Sequence, residues 1–276
     1  MSKSKPDWAM PLMRLGYAGR GLTYVAIAGI SLWTIWRGGQ AQGTSEALKT
    51  IETSPFGMVV LFAIGLGLIC YMIWRVLDGV HDLEAEGEDA TGWIGRAGMI
   101  VTGLLHGIIG LGAMLIAVGA DDGGGGDSTI VTVTETVMSA PFGILLVGMA
   151  GAVTVAAGVY YLHKAYTQSY LQKLRDNHAT RNWQPALRIG VAAQGVVVTI
   201  VGGFLILAAW RANPENAGGL EKTFNWLSGQ VYGQVLVTAL CVGLLAFAMF
   251  LFVNAVYRVV PGLKEGHIPR LADRLR

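Results

Sequence analysis

Few residues in this chain could do chemistry, and those few stand out because the sequence around them is apolar. Arg20 and Tyr24 are four residues apart near the start of the first apolar stretch, and Thr102 and His106 share that spacing in the third. Residues at i and i+4 lie on one helix face, so each pair forms a polar stripe. Gln194, in the fifth stretch, occupies the position matching Arg20 and Thr102, while Val198 follows where Tyr24 and His106 stand. A guanidinium does not shed its proton. A cavity lined by these stripes, open at one membrane face, therefore favours an anion, a lipid head group or a dipolar solute. His106 would add a pH response near its reference pKa of about 6.5. The competing readings are structural. Arg20 would snorkel to lipid phosphates, Thr102 would bond back to its own helix, and His106 would be a packed core residue with Tyr24 or Thr154 as partner.

Other chemistry finds little support. There is no Walker loop, no HExxH and no GxSxG pattern, and no Asp or Glu falls in an apolar interior, which disfavours a carboxylate-driven pump. His81, His163 and His178 fall at or beyond the ends of the apolar stretches, so a bis-histidine cofactor pair lacks a second member. Cys70 and Cys241 both lie within those stretches and suggest neither a disulfide nor a thiolate metal site. The expectation is a non-enzymatic protein without cofactor or metal. The acids Asp78, Asp82, Glu84, Glu86, Glu88 and Asp89 match no EF-hand spacing and read as a solvated run. Trp74-Arg75 and Tyr257-Arg258 read as interface anchors, and Asn254 as an interhelical hydrogen bond.

The elements that must position these residues follow from composition. The chain has 276 residues, 53% of them hydrophobic and only 14% charged, with a mean hydropathy of +0.51. A soluble domain carries about 25% charged residues. The deficit is concentrated in windows near 16–36, 55–77, 94–118, 142–163, 188–210 and 231–256. Each is apolar for about 20 residues, enough for a membrane helix, and none shows the period-two alternation of a barrel strand. The predicted fold is an all-α integral membrane protein with six transmembrane helices.

Those helices repeat. Arg14-Leu15-Gly16, Arg96-Ala97-Gly98 and Arg188-Ile189-Gly190 open the first, third and fifth; Pro55-Phe56-Gly57, Pro141-Phe142-Gly143 and the degenerate Val231-Tyr232-Gly233 open the others. This predicts three tandem helical hairpins over 10–80, 92–166 and 184–260, related by a pseudo-threefold repeat within one membrane domain, and a basic tail at 261–276. Gly103, Gly107 and Gly110 provide a small-residue face for close helix packing. The connecting loops 37–54, 120–141 and 211–230 each carry a candidate interfacial helix, at 45–52, 132–138 (preferred to a strand at 130–133) and 220–227. The glycines between Asp121 and Asp127 form a flexible linker. Of the 20 lysines and arginines, only Arg37, Lys49, Arg211 and Lys222 fall on the side of these loops. The positive-inside rule therefore places both termini in the cytoplasm. The first stretch is too long for the core of a leader peptide, so cleavage there is not expected.

The opening Arg14-Leu15-Gly16-Tyr17-Ala18-Gly19-Arg20-Gly21-Leu22-Thr23-Tyr24 resembles a family of bacterial membrane proteins of unknown function, domain of unknown function 1206. Gly243-Leu244-Leu245-Ala246-Phe247 and Ala255-Val256-Tyr257-Arg258 carry the same resemblance. It extends from about Met10 to Val260. It implies three two-helix repeats in a multi-pass protein of the bacterial cytoplasmic (inner) membrane, and it brings no activity or site residues. The third repeat departs from the pattern at Gln194 and at Val231-Tyr232. The expected function is that of a scaffold or a lipid- or small-ligand-binding protein, with a channel or transporter for a small solute or anion as the alternative. Expected partners are membrane lipids, with a membrane-protein partner or a homo-oligomer as further candidates; nothing implies nucleic acid.

Overall fold

A computed structural model describes residues 8–120, 127–176 and 178–261. The expected glycine linker at 121–126 and the basic tail beyond Pro261 lie outside the described residues. The long helices are α1 (Ala9–Trp36), α3 (Gly57–His81), α4 (Ala90–Ala117), α6 (Gly143–Thr167), α8 (Gln184–Arg211) and α10 (Gly233–Tyr257). Short helices fill the connections: α2 (Thr44–Glu52), α5 (Asp127–Met138), α7 (His178–Asn182) and α9 (Leu220–Ser228). The stretch 130–133 is helical, within α5. Pro55 sits in the turn before α3 rather than in its first turn.

Five of the long helices, all but α1, are long and apolar enough to cross a membrane. The protein is helical and of multi-pass membrane type. The 28 residues of α1 match the others in length, but Arg14, Arg20, Thr23, Ser31 and Thr34 interrupt its apolar character.

The helices pack side by side in the order α4, α3, α1, α10, α8, α6. The first and third expected hairpins are thus paired, whereas α4 and α6 do not pack along each other. The reason lies in their small residues. The glycine face of α4 is taken up by α3: a Cβ on Gly103 would meet Arg75 Cβ at 2.8 Å, one on Gly107 would meet Met72 Sδ at 2.2 Å, and one on Gly110 would meet Gly65 O at 2.9 Å. The matching face of α6 is taken up by α8, with Gly151 against Gly202 and Ile206, and Gly158 against Thr199. Each helix of the middle pair is committed to a neighbouring pair. Tyr161 of α6 nevertheless packs on the core cluster that holds Met13, Tyr17 and Tyr71.

The Pro-Phe-Gly segments make one recurring turn. Gly57 N donates to Ser54 O at 3.0 Å, Gly143 N to Ala140 O at 2.9 Å and Gly233 N to Gln230 O at 2.9 Å. A Cβ would lie 1.9 Å from Ile51 O, 1.8 Å from Val137 O and 2.2 Å from Ser228 O, so only glycine fits. The third copy keeps this geometry despite its altered residues. Phe142 and Tyr232, just before the glycine, take left-handed φ values of 62° and 65°, at a cost of roughly 1–2 kcal/mol each.

Candidate functional site

The site starts from one end of the bundle, where α1, α4 and α8 begin and α3, α6 and α10 end. There α3 presents Tyr71, Arg75 and Asp78, at helical spacings of four and three, to α1 and its neighbours. Arg20 of α1 is only 4% exposed. Its Nη1 donates to the Tyr71 hydroxyl at 2.8 Å, and Arg75 Nε donates to the same oxygen at 3.0 Å. Two guanidinium groups thus converge on one hydroxyl oxygen. Three rings enclose Arg20: Tyr71, Phe247 and Tyr24 have centroids 5.1, 5.4 and 5.8 Å from its Cζ. Aromatic faces attract a desolvated cation by about 2 kcal/mol, and the Tyr24 hydroxyl also lies close to the guanidinium. Arg20 Nε is buried without a hydrogen-bond partner. Buried N–H groups usually have one, and a missing partner costs about 1–3 kcal/mol, more for a charged group.

His106 reaches the same cage from α4. Its ring stands edge-on to Tyr71 with centroids 5.1 Å apart. Its Nδ1 lies 2.7 Å from Thr102 O, one turn back on α4. The partner is therefore that backbone carbonyl, rather than Tyr24 or Thr154, whose hydroxyl donates to Ala150 O. Tyr71 joins Arg20 to His106, and Tyr24 meets the group through Arg20 and Phe247. The Thr102 hydroxyl bonds back to Gly98 O at 2.7 Å. Gln194 is 5% exposed on α8 with its Oε1 unpartnered, and among the described residues no hydrogen bond ties it to Arg20 or His106.

Beside this cage lies a charge cluster that sequence reading missed. Glu84, from the supposedly solvated acidic run, is 5% exposed. Arg258 grips both its oxygens, Nε to Oε1 at 2.6 Å and Nη2 to Oε2 at 2.5 Å, and Lys173 Nζ adds a contact at 2.9 Å. Lys173 also pairs with Glu86. Asp78 accepts Glu84 N at 2.9 Å and faces Arg75 at 3.5 Å. An antiparallel bridge between Leu174 and Arg258 completes the clasp, with Arg175 N donating to Tyr257 O and Val259 N to Lys173 O, each at 2.9 Å. Burial alone would raise the Glu84 carboxyl, but Arg258 and Lys173 outweigh it and hold the group well below the usual carboxylate range.

The reading of Asp78, Glu84, Arg75 and Arg258 therefore needs correcting, whereas Glu88 and Asp89 are exposed as expected. The four face inward and, with Lys173, tie the ends of α3, α6 and α10 together, because a buried carboxylate recruits every nearby cation. Asn254 serves the clasp from its own helix, donating to Phe250 O at 2.7 Å and accepting from Arg258 Nη1 at 2.5 Å. The acids within reach of the cage are thus engaged by Arg75, Lys173 and Arg258, and none bonds Arg20. Lys164 of α6 lies within electrostatic reach of Lys173, Arg258, Glu84 and Arg75. The i, i+4, i+7 stripe Tyr71, Arg75, Asp78 was the readable signal for this cluster.

Two of the three repeated arginines, Arg96 and Arg188, have a structural job. Arg96 Nε donates to Gly79 O at 2.7 Å and its Nη2 to Val80 O at 2.8 Å. Arg188 Nε donates to Ala165 O at 3.1 Å. Each fixes the end of the long helix before it, where carbonyls lack helical partners and cations are favoured.

The family model for a Domain of Unknown Function (DUF1206) matches residues 15–82, 97–168 and 189–258, each match covering one long-helix pair. The chain belongs to the DUF1206 family. Like the family description, the name of a relative carries no activity: the chain is 27% identical over 265 residues to the uncharacterized protein YxxB of Bacillus subtilis (strain 168), covering 94% of this chain and 95% of that protein. No solved structure matches the chain. In this DUF1206 protein the matched segments end at Asp82, Gln168 and Arg258. The first two adopt left-handed φ values of 50° and 56°, and the third remains extended to form the backbone bridge.

Proposed function

We propose that this DUF1206 protein is a six-span protein of the bacterial cytoplasmic membrane, with both termini cytoplasmic, that binds a small anion at Arg20. α1 serves as the sixth span, since its polar groups face its neighbours: Arg20, Thr23 and Ser31 are all buried. One observation carries the anion reading. A buried guanidinium sits in an aromatic cage with an unpartnered Nε, while the nearby carboxylates bond other cations. A charge in the membrane is costly and normally has a partner. An anion beside Nε would fill that role and would relieve the shared demand on the Tyr71 oxygen.

Binding is tested by thermal melts of purified protein in neutral detergent with chloride, nitrate or inorganic phosphate, against a bulky sulfonate at equal ionic strength. An anion at a hundred times its Kd stabilises the folded state by about 2.7 kcal/mol. At least one of the three is expected to raise the midpoint of the parent, and to leave Arg20→Gln unmoved. Equal shifts in both proteins would refute the site. Transport of the same anion is the second reading. It is favoured by His106 and Lys164, which keep accessible surface on α4 and α6, the two long helices that do not close on each other. Liposome flux that depends on Arg20 would select it.

Topology has its own test. On a background lacking the buried Cys70 and Cys241, single cysteines at Lys49, Glu135 and Asn216 should react with an impermeant thiol reagent from outside the cell. Labelling at Glu86 and protection at those three positions would invert the assignment.

A further inference from the structure

A second cationic site lies apart from the Arg20 cage. The ends of α6 and α8 enclose a cleft of about 600 Å³, walled by Leu162, Tyr166, Ile189 and Ala192, with Gln168, Gln184 and Arg188 as its polar groups. Gln184 Nε2 donates to Gln168 Oε1 at 2.5 Å. Arg188 uses Nε on Ala165 O, and among the described residues its terminal nitrogens have no hydrogen bond to the protein. Among the described residues its charge is the only full charge in the lining, and the lining contains no acid.

The equivalent arginine in the preceding repeat is a control supplied by the fold. Arg96 is 8% exposed, spends Nε and Nη2 on two carbonyls and lies 4.4 Å from the centre of the Trp93 ring. It is fully used. Arg188 performs the same capping with one nitrogen and turns the rest of the group to the cleft. The location fits a bilayer boundary. α6 and α8 are both apolar enough to cross a membrane, and their ends carry the exposed aromatics Tyr166 and Trp183, residues enriched at the head-group level.

We infer that this cleft binds the anionic head group of a membrane phospholipid. Arg188 takes the phosphate as a planar fork of donors, a geometry suited to phosphate oxygens. The amides of Gln168 and Gln184 flank it, and Leu162, Ile189 and Ala192 receive the first carbons of an acyl chain. The site is independent of the proposed anion at Arg20.

The test uses full-length protein stripped of lipid in neutral detergent, titrated with short-chain phosphatidylglycerol or with soluble glycerol 3-phosphate and followed by melting midpoint. Phosphatidylglycerol should stabilise the parent, Arg96→Gln and Arg20→Gln over the same concentration range. Arg188→Gln should need at least tenfold more lipid. Because Arg188→Gln also removes a helix cap, Ala192→Trp provides the second variant: it fills the apolar wall, keeps the guanidinium and should weaken lipid binding to a similar degree. Unchanged titrations in Arg188→Gln and Ala192→Trp would overturn the inference. Glycerol 3-phosphate matching the lipid at equal concentration would overturn the lipid assignment in favour of a free phosphate ester.

Discussion

Replacing Glu84 by Gln is expected to cost about 3–5 kcal/mol of stability, the usual penalty for removing one partner of a buried ion pair. The side chain holds Arg258 through two hydrogen bonds and Lys173 through a third, so the amide would leave two cations crowded without their anion. The pH dependence has a definite sign. Glu84 is held below its ordinary value in the folded state, pushed up by burial but held down more strongly by Arg258 and Lys173. Its contribution is therefore complete above the unfolded carboxylate pKa of about 4.3 and fades as pH falls through the lower folded value. Melting curves of parent and Glu84→Gln should differ most above pH 5 and converge in stronger acid. A difference that stays constant down to pH 2 would show that the charge of Glu84 is not what the variant removes. Lys173→Gln should cost less, about 1 kcal/mol, because its side chain keeps 27% exposure and water screens it.

The second large effect concerns backbone contact between helices. A Cβ on Gly190 would stand 2.4 Å from Phe247 N and 2.6 Å from Ala246 O, and one on Gly19 would stand 2.4 Å from Gly67 Cα. Backbone cannot rotate away, so Gly190→Ala and Gly19→Ala must separate α8 from α10 and α1 from α3. Overfilled packing typically costs about 1–3 kcal/mol, and these contacts belong at the upper end or above. Gly107→Ala should cost less, because the atom it meets is the Met72 sulfur, on a side chain that can move. Gly203 in α8 has nothing within 4 Å, and Gly203→Ala should stabilise by about 0.5–1 kcal/mol through helix propensity. Melting midpoints of the four variants in one detergent give the ranking. Gly190→Ala melting at or above Gly203→Ala would contradict the packing described.

What the sequence made legible follows from range. The Arg-Gly and Pro-Phe-Gly repeats were readable because the glycine requirement is imposed locally, by a turn such as that at Gly143 or by a fixed helix-facing register. The long helices were readable for the same reason, each from its own apolar window. Of the four short helices among the described residues, α2 followed from the spacing of Leu48 and Ile51, α5 by analogy with it and α9 from its amphipathic stretch, while α7 was not foreseen. Glu84 was misread because its partners lie 89 and 174 residues away, and nothing within the run Asp78–Asp89 distinguishes a buried acid from solvated ones. Arg75 and Arg258 were misread with it, since a cation beside an aromatic looks the same whether it faces lipid phosphate or an internal carboxylate. The separation of α4 from α6 was also hidden. Their small residues were visible, but periodicity does not say which neighbour will use a small face. Arg20, Tyr24 and His106 were singled out from their i, i+4 spacing, while Tyr71, which links Arg20 to His106, looked like one more aromatic in an apolar helix.

The central claim is that Arg20 holds an anion inside the bundle, and anomalous diffraction from crystals grown with bromide tests it most directly. Bromide is expected about 3–3.5 Å from Arg20 Nε, within the cage of Tyr24, Tyr71 and Phe247, and should vanish in Arg20→Gln crystals while the clasp of Glu84, Lys173 and Arg258 remains intact. A cage in which Arg20 contacts only Tyr71 and the ring faces, with bromide elsewhere in the same crystal, would contradict it.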